Sequence, residues 1–265
     1  MSYTFYSFRD RTAQDELQWE NQSFEGLVKS SQTRTLMDIF QQYLDRPKQK
    51  IIEAGCGMGT WIYNLKQMGH DVIGVDYMQS TVDKVKAYDP DFPIEVGDVH
   101  HLRFPDNTFD AYVSLGVIEH FQAGPQQALL EAHRILKPGG LAFITVPYLN
   151  LFRRLVTHNL RNIYFTGRRL LGKTYYFWEY RYTKKELKAF LEEAGFEVIF
   201  TGIDDYRTSD KDHHIGLCAD FFFLRSKNGE IWELNAPGKM ILKLGKLFSP
   251  WLFCSGLHMV ARNLK

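Results

Sequence analysis

Cysteine is scarce in this chain. Cys56, Cys218 and Cys254 are the three cysteines in 265 residues, and no two stand at the C-x-x-C spacing of a zinc or redox site. An odd, scattered set excludes a disulfide framework and fits a reducing compartment. An excess of one charge is lacking too. With 32 Lys+Arg against 31 Asp+Glu the net charge is +1, which offers no global field for nucleic acid, and none is expected as a partner. Long apolar runs are also missing. The longest uncharged one, SPWLFCSGLHMVA at 249–261, is too short to span a bilayer. The opening MSYTFYSFRDRTAQDELQWE has no apolar core of the signal-peptide kind, so a cytoplasmic protein is expected. No internal repeat or low-complexity tract is visible. What the chain does have is rings: 15% of residues are aromatic, which points to dense packing or to a ring-lined pocket.

Apolar residues recur at helical spacing over 13–45, with an interruption near Gly26 and a stop at Pro47. Strands and helices then alternate. KIIEAG, DVIGVD, FPIEVGD, FDAYVSLG and GLAFITVP read as strands, with TWIYNLKQM, STVDKVKAY and PQQALLEAHRIL as helices between them. TKKELKAFLEEAGF follows with a Thr183-x-x-Glu186 capping box and a Gly195 stop. FEVIFTGI is a sixth strand and LHMVARN a seventh. Such alternation demands a parallel sheet with helices on both faces, and its ligand belongs beyond the carboxyl ends of the strands. The expected division is one domain, 1–265. It comprises an N-terminal helical segment at 1–47, a core at 48–147 and 183–205, and lid or acceptor-site insertions at 148–182 and 206–254.

The loop IIEAGCGMGTW follows the first of these strands. Glycine there lets the chain turn sharply and lets a ligand approach the backbone. A Walker loop would need a Lys that is absent, and the dinucleotide fingerprint would need Gly at position 60, where Thr60 stands. Asp76 ends the second strand, where an acid accepts ribose hydroxyls. Asp98 follows the third strand, within reach of an adenine amino group. No arginine cluster compensates a pyrophosphate. An adenosine without phosphates, carrying a positive sulfonium, suits a glycine-lined acidic crevice.

The stretches IIEAGCGMGT, VIGVDYMQSTVDKVKA, VGDVHHLRFPDNTFDAYVSLGVIEHF, EAHRILKPGGLAFITVP and TKKELKAFLEEAGFEV appear in one order and spacing. In these the chain resembles the class I S-adenosylmethionine-dependent methyltransferases, type 11 branch, over residues 50–200. The resemblance implies an α/β fold: a Rossmann-like seven-stranded sheet with its last strand antiparallel, helices on both faces, N-terminal helices and a lid. It implies S-adenosyl-L-methionine as cofactor and S-adenosyl-L-homocysteine as product. Glu53 would orient the loop. Gly55, Cys56, Gly57 and Gly59 would pass along the donor, with Cys56 itself a small buried filler. Asp76 would hold the ribose with Tyr77 beside the adenine, and Asp98 and Val99 would recognise the base. The backbone at Leu115 would meet the donor amino group, and Arg34 its carboxylate.

His120, after the fourth strand, is a candidate general base because imidazole titrates near neutral pH; a structural or donor-contacting role fits it equally. DKDHH at 210–214 and the pair His100-His101 lack the spacing that converges ligands, so no metal is expected. Residues 151–185 hold nine Lys/Arg against one acid, Glu179. They read as a solvated face, as a clamp for an acidic acceptor, or as a peripheral membrane contact. Residues 239–253 carry Lys239, Lys243 and Lys246 on one helical face, the pattern of an interfacial helix or of a lid packed on the core. Tyr148, Tyr175, Tyr176, Trp178 and Tyr180 either line an aromatic acceptor pocket or pack the core. The expected activity is methyl transfer to an O or N atom of a small or lipid-like acceptor. The alternatives are an NAD(P)-dependent oxidoreductase, disfavoured by Thr60 and Asp98, and a non-catalytic S-adenosylmethionine-binding regulator.

Overall fold

From Lys50 onward short, nearly continuous apolar runs of the kind buried on both faces of a sheet alternate with helical stretches, and the computed structural model of the protein is built on that alternation. It describes residues 2–7, 23–207, 212–227 and 232–265. In chain order the strands are β1 (Tyr3–Ser7), β2 (Lys50–Ala54), β3 (Asp71–Asp76), β4 (Ile94–Val96), β5 (Phe109–Leu115), β6 (Leu136–Pro147), β7 (Tyr176–Arg181), β8 (Phe196–Asp204) and β9 (Gly256–Asn263). The helices are α1 (Phe24–Gln32), α2 (Thr35–Tyr43), α3 (Thr60–Gln67), α4 (Gln79–Tyr88), α5 (Gln126–Ile135), α6 (His158–Leu170), α7 (Lys184–Glu193), α8 (Ile215–Asp220) and α9 (Ala236–Phe248).

The main sheet has seven strands in the order β4-β3-β2-β5-β6-β9-β8. Pairings among β4, β3, β2, β5 and β6 are parallel, while β9 runs antiparallel to both β6 and β8. This is the sheet the resemblance implies. Successive side chains feed opposite faces. Ile51, Ala111, Val113, Phe143 and Val260 join one buried cluster with α2, α3 and α4. Ile52, Tyr112, Ala142, Ile144 and Met259 join the other with α5 and α7. Helix α7 begins with the expected capping box: the Thr183 side chain accepts from Glu186 N–H, and the Glu186 carboxylate accepts from Thr183 N–H.

Three features differ from the sequence reading. The N-terminal helical stretch is two helices, and the break lies at Thr33–Arg34 rather than near Gly26. Gly26 is held inside α1 by Ser23, whose hydroxyl accepts its N–H at 3.0 Å. Residues 13–22 of the expected helix lie outside the described residues. A second, two-stranded sheet also joins β1 to β7, Tyr3 opposite Arg181 and Ser7 opposite Tyr176. Finally, the strand expected over GLAFITVP begins earlier, since β6 opens at Leu136 and takes in LKPGG, with Gly139 at a φ of +73°.

Candidate functional site

The glycine loop lies at the carboxyl end of β2, against the end of β3. Gly55, Gly57 and Gly59 all have φ between +51° and +79°, the left-handed region that side chains disfavour. The loop is anchored from β3: Gly55 N–H and Cys56 N–H both donate to the Val75 carbonyl, at 2.7 and 3.1 Å. Asp76 completes the anchor. One carboxylate oxygen accepts Gly57 N–H at 2.8 Å, and the other accepts Met78 N–H at 3.0 Å. A Cβ at Gly55 would come within 2.4 Å of Val117, so the loop after β5 closes against this backbone. Cys56 fills space beneath the loop, where a Cβ at Gly74 would meet its sulfur at 2.7 Å. Burial, with Glu53 and Asp76 nearby, pushes its thiol well above the usual range, so it is no nucleophile.

Two carboxyl groups thus lie buried at the ends of adjacent strands. Glu53 is 2% exposed, and its Oε2 has no hydrogen-bond partner among the described residues. Burial, with Asp76 adding to it, raises its carboxyl well above the usual range. A buried oxygen of that kind, beside a backbone stripped of side chains, fits a ligand that brings positive charge, as an S-adenosylmethionine does. Tyr77 is 57% exposed at the same rim, Val99 is buried, and Leu115 ends β5 before Gly116 at φ +72°. Asp98 is turned to its own loop: Oδ1 accepts His100 N–H at 2.9 Å and meets His100 Nδ1 at 2.7 Å. Partial burial raises its carboxyl, but these hydrogen bonds and the His100 charge outweigh it, and the net shift is downward.

His120 sits on a 3-10 turn, Ile118–His120, just past β5. Its Nδ1 lies 2.8 Å from the Trp178 carbonyl. A carbonyl only accepts, so Nδ1 carries a proton. Nε2 is 3.9 Å from Glu119 Oε1. Ligand atoms of Glu119, His120 and Glu179 lie within 4.8 Å of one another, and Arg181 holds Glu179 at 3.1 Å. Strand β7 thereby seats the basic insertion over the loop after β5. Sequence reasoning missed Trp178 as the partner of His120, because a backbone carbonyl 58 residues away leaves no sequence signal.

Arg34 is committed to an ion pair. Its guanidinium donates to Asp204 Oδ1 at 2.6 Å, at the end of β8, four places from β2 in the sheet. The rings also disperse. Tyr148 packs edge-on to Trp251 and Tyr175 to Phe165, while Trp178 lies 5.7 Å from the His120 ring. Parts of the basic insertion are buried rather than solvated. Arg153, 2% exposed, donates to Asp220 at 2.8 Å and to the carbonyls of Tyr148 and Ser255. Arg181 lies 3.6 Å from Asp220 and 3.0 Å from His158 Nε2. Burial, together with Arg181 and Arg153, lowers the His158 imidazole to about 3. The two insertions are thus pinned together by one buried ion cluster.

A family model described as "Methyltransferase domain" matches residues 52–144. Over 97 residues the chain is 36% identical to a protein of Mycolicibacterium smegmatis described as "Probable S-adenosylmethionine-dependent methyltransferase", 37% of either chain. It is 30% identical to a demethylmenaquinone methyltransferase of Staphylococcus aureus over 167 residues, 57% of this chain and 69% of that one. The chain spans between about a third and a half of the length of the first curated relatives it matches. Among solved structures, a SAM-dependent methyltransferase from Methanosarcina mazei superposes with a TM-score of 0.57 at 18% identity. That superposition covers 85% of this chain and 97% of the other.

Proposed function

The chain belongs to the class I S-adenosylmethionine-dependent methyltransferases, type 11 branch, and from that membership we propose that it transfers a methyl group to an O or N atom of a small or lipid-like acceptor. The observation that carries this reading is the union of three left-handed glycines with the buried Asp76 carboxylate at the ends of β2 and β3. Asp76 holds the ribose hydroxyls with its remaining lone pairs while it braces the loop. Glu53 faces the cationic part of the donor, Tyr77 and Val99 flank the adenine, and Asp98 accepts from its amino group. The glycine loop and the backbone at Leu115 flank the methionyl end. Arg34, committed to Asp204, is not assigned a donor contact.

The bound donor supplies an electrophilic methyl group. The protein's share is to align the acceptor behind it and exclude water, which the cover of β7 and the 206–254 insertion serves. The donor would leave as S-adenosylhomocysteine once its sulfur–methyl bond is broken, and where the acceptor is an O–H or N–H group His120 Nε2 would take the acceptor's proton, with Nδ1–H held by the Trp178 carbonyl. The demethylmenaquinone methyltransferase among the relatives favours a lipid-like acceptor.

Calorimetry with S-adenosylhomocysteine and with NAD tests the donor assignment. We expect binding of the first and not of the second; the reverse would sink it. His120→Asn tests the base. It should lower the rate of S-adenosylhomocysteine formation by about 10²-fold or more with S-adenosylhomocysteine affinity unchanged. An unaltered rate would remove His120 from the mechanism.

A further inference from the structure

We propose that this protein docks on an anionic lipid bilayer through the outer faces of α6 and α9. Both helices leave apolar residues on an outer face. Helix α6 packs inward through His158 and Phe165, which are buried. Asn162 accepts from the Tyr3 hydroxyl at 2.7 Å, His158 stacks on Tyr3 at 3.7 Å, and Arg161 covers Phe5. Its aliphatic residues face outward: Leu160, Ile163 and Leu170 are 63%, 71% and 84% exposed. Helix α9 buries Gly238, Leu242 and Gly245. It leaves out Met240, Leu244, Leu247 and Phe248, whose spacing returns once per turn to a single face, and Phe248 is 84% exposed.

The two stripes belong to one unit. Phe152, at the entry to α6, packs against both Phe221 and Phe253, and Phe253 lies over Gly245 of α9. The Arg153–Asp220 bond fixes the same junction. Apolar residues exposed in a row along a helix face, rather than singly, mark an interaction surface.

Charge selects the occupant. Residues 151–178 contain six Lys/Arg and no acid, and α9 contains three Lys and no acid. Arg154, Arg169, Lys173, Lys243 and Lys246 are exposed around the apolar stripes. Two copies meeting face to face would bring these cations together, whereas anionic headgroups neutralise them while acyl chains receive the leucines. No helix among the described residues is long and apolar enough to cross a membrane, so contact is with the surface. Docking on lipid stands apart from the methyl-transfer reading and is measured without turnover.

The test is co-sedimentation of the full chain with phosphatidylglycerol–phosphatidylcholine vesicles and with phosphatidylcholine alone. We expect binding to the anionic vesicles only, weakened by salt at ~0.5 M. The pairs Leu160→Glu with Ile163→Glu, and Leu247→Glu with Phe248→Glu, should each weaken it about tenfold or more. Leu130→Glu, at a half-exposed site on α5, should leave it unchanged. A melting temperature within about 3 °C of wild type shows that each variant is folded, as expected for surface positions. Failure to bind anionic vesicles, or undiminished binding by the four-site variant, overturns the inference. So does a wild-type dimer in analytical ultracentrifugation that the same substitutions dissolve.

Discussion

Asp76→Ala separates two duties of one carboxylate. In the free protein Asp76 accepts two backbone hydrogen bonds, from Gly57 at 2.8 Å and Met78 at 3.0 Å, and it is 7% exposed. Hydrogen bonds to a charged acceptor contribute about 1.5–3 kcal/mol each. The alanine variant should therefore lose about 3–6 kcal/mol of stability. At roughly 2–4 °C per kcal/mol for a chain of this size, its melting temperature should fall by about 6–24 °C. The donor duty is measured well below that midpoint, by calorimetry with S-adenosylhomocysteine. Loss of two charge-assisted bonds to ribose hydroxyls should raise Kd about 100-fold or more. Asp71→Ala, at the exposed opposite end of β3, is the control and should change neither value. If the melting temperature falls but Kd stays within about threefold of wild type, the carboxylate serves only the loop and the ribose assignment is wrong.

Gly55→Ala combines a left-handed φ of +79° with a Cβ 2.4 Å from Val117. We expect loss of S-adenosylhomocysteine binding and a stability loss above about 2 kcal/mol in urea unfolding. Arg153→Met leaves Asp220 buried without its closest cation, so urea unfolding should show about 3–5 kcal/mol lost. His158 contributes a pH dependence of definite sign. Its folded imidazole is depressed to about 3 from 6.5, so the unfolded chain takes up the proton first as pH falls. Its share of stability is therefore intact above about 6.5 and is lost progressively from there down to about 3, on the order of 2 kcal/mol by pH 5. Urea midpoints at pH 7.5 and 5 should converge in His158→Asn relative to wild type; an unchanged difference would refute that origin.

Much of this architecture was legible because its signals are local. KIIEAG and DVIGVD are apolar on both faces, as only a covered parallel strand is, and the Thr183–Glu186 box announces its own helix. The glycine loop and Asp76 were readable as a unit because strand ends bring them together in any sheet of this order. What escaped was non-local. Strand β1 is short, polar at its edge, and paired with residues 176–181, so nothing within Tyr3–Ser7 announces it. The break at Arg34 is set by Asp204, 170 residues away. Arg153 and Arg181 read as solvated cations because their shared carboxylate, Asp220, belongs to the other insertion.

The position of β9 has a consequence for how the chain is made. It is inserted between β6 and β8, and among the described residues β8 pairs with no other strand of the sheet. On a ribosome β8 emerges with one edge destined for a partner that follows only after the 206–254 excursion. Until Gly256–Asn263 arrives, Phe196, Val198 and the Leu141–Val146 edge present unpaired backbone and apolar surface. The sheet therefore cannot zip from one end as it is synthesised. It closes by late insertion of an interior strand, a high-contact-order step that makes nascent or truncated chains the ones a holdase would meet.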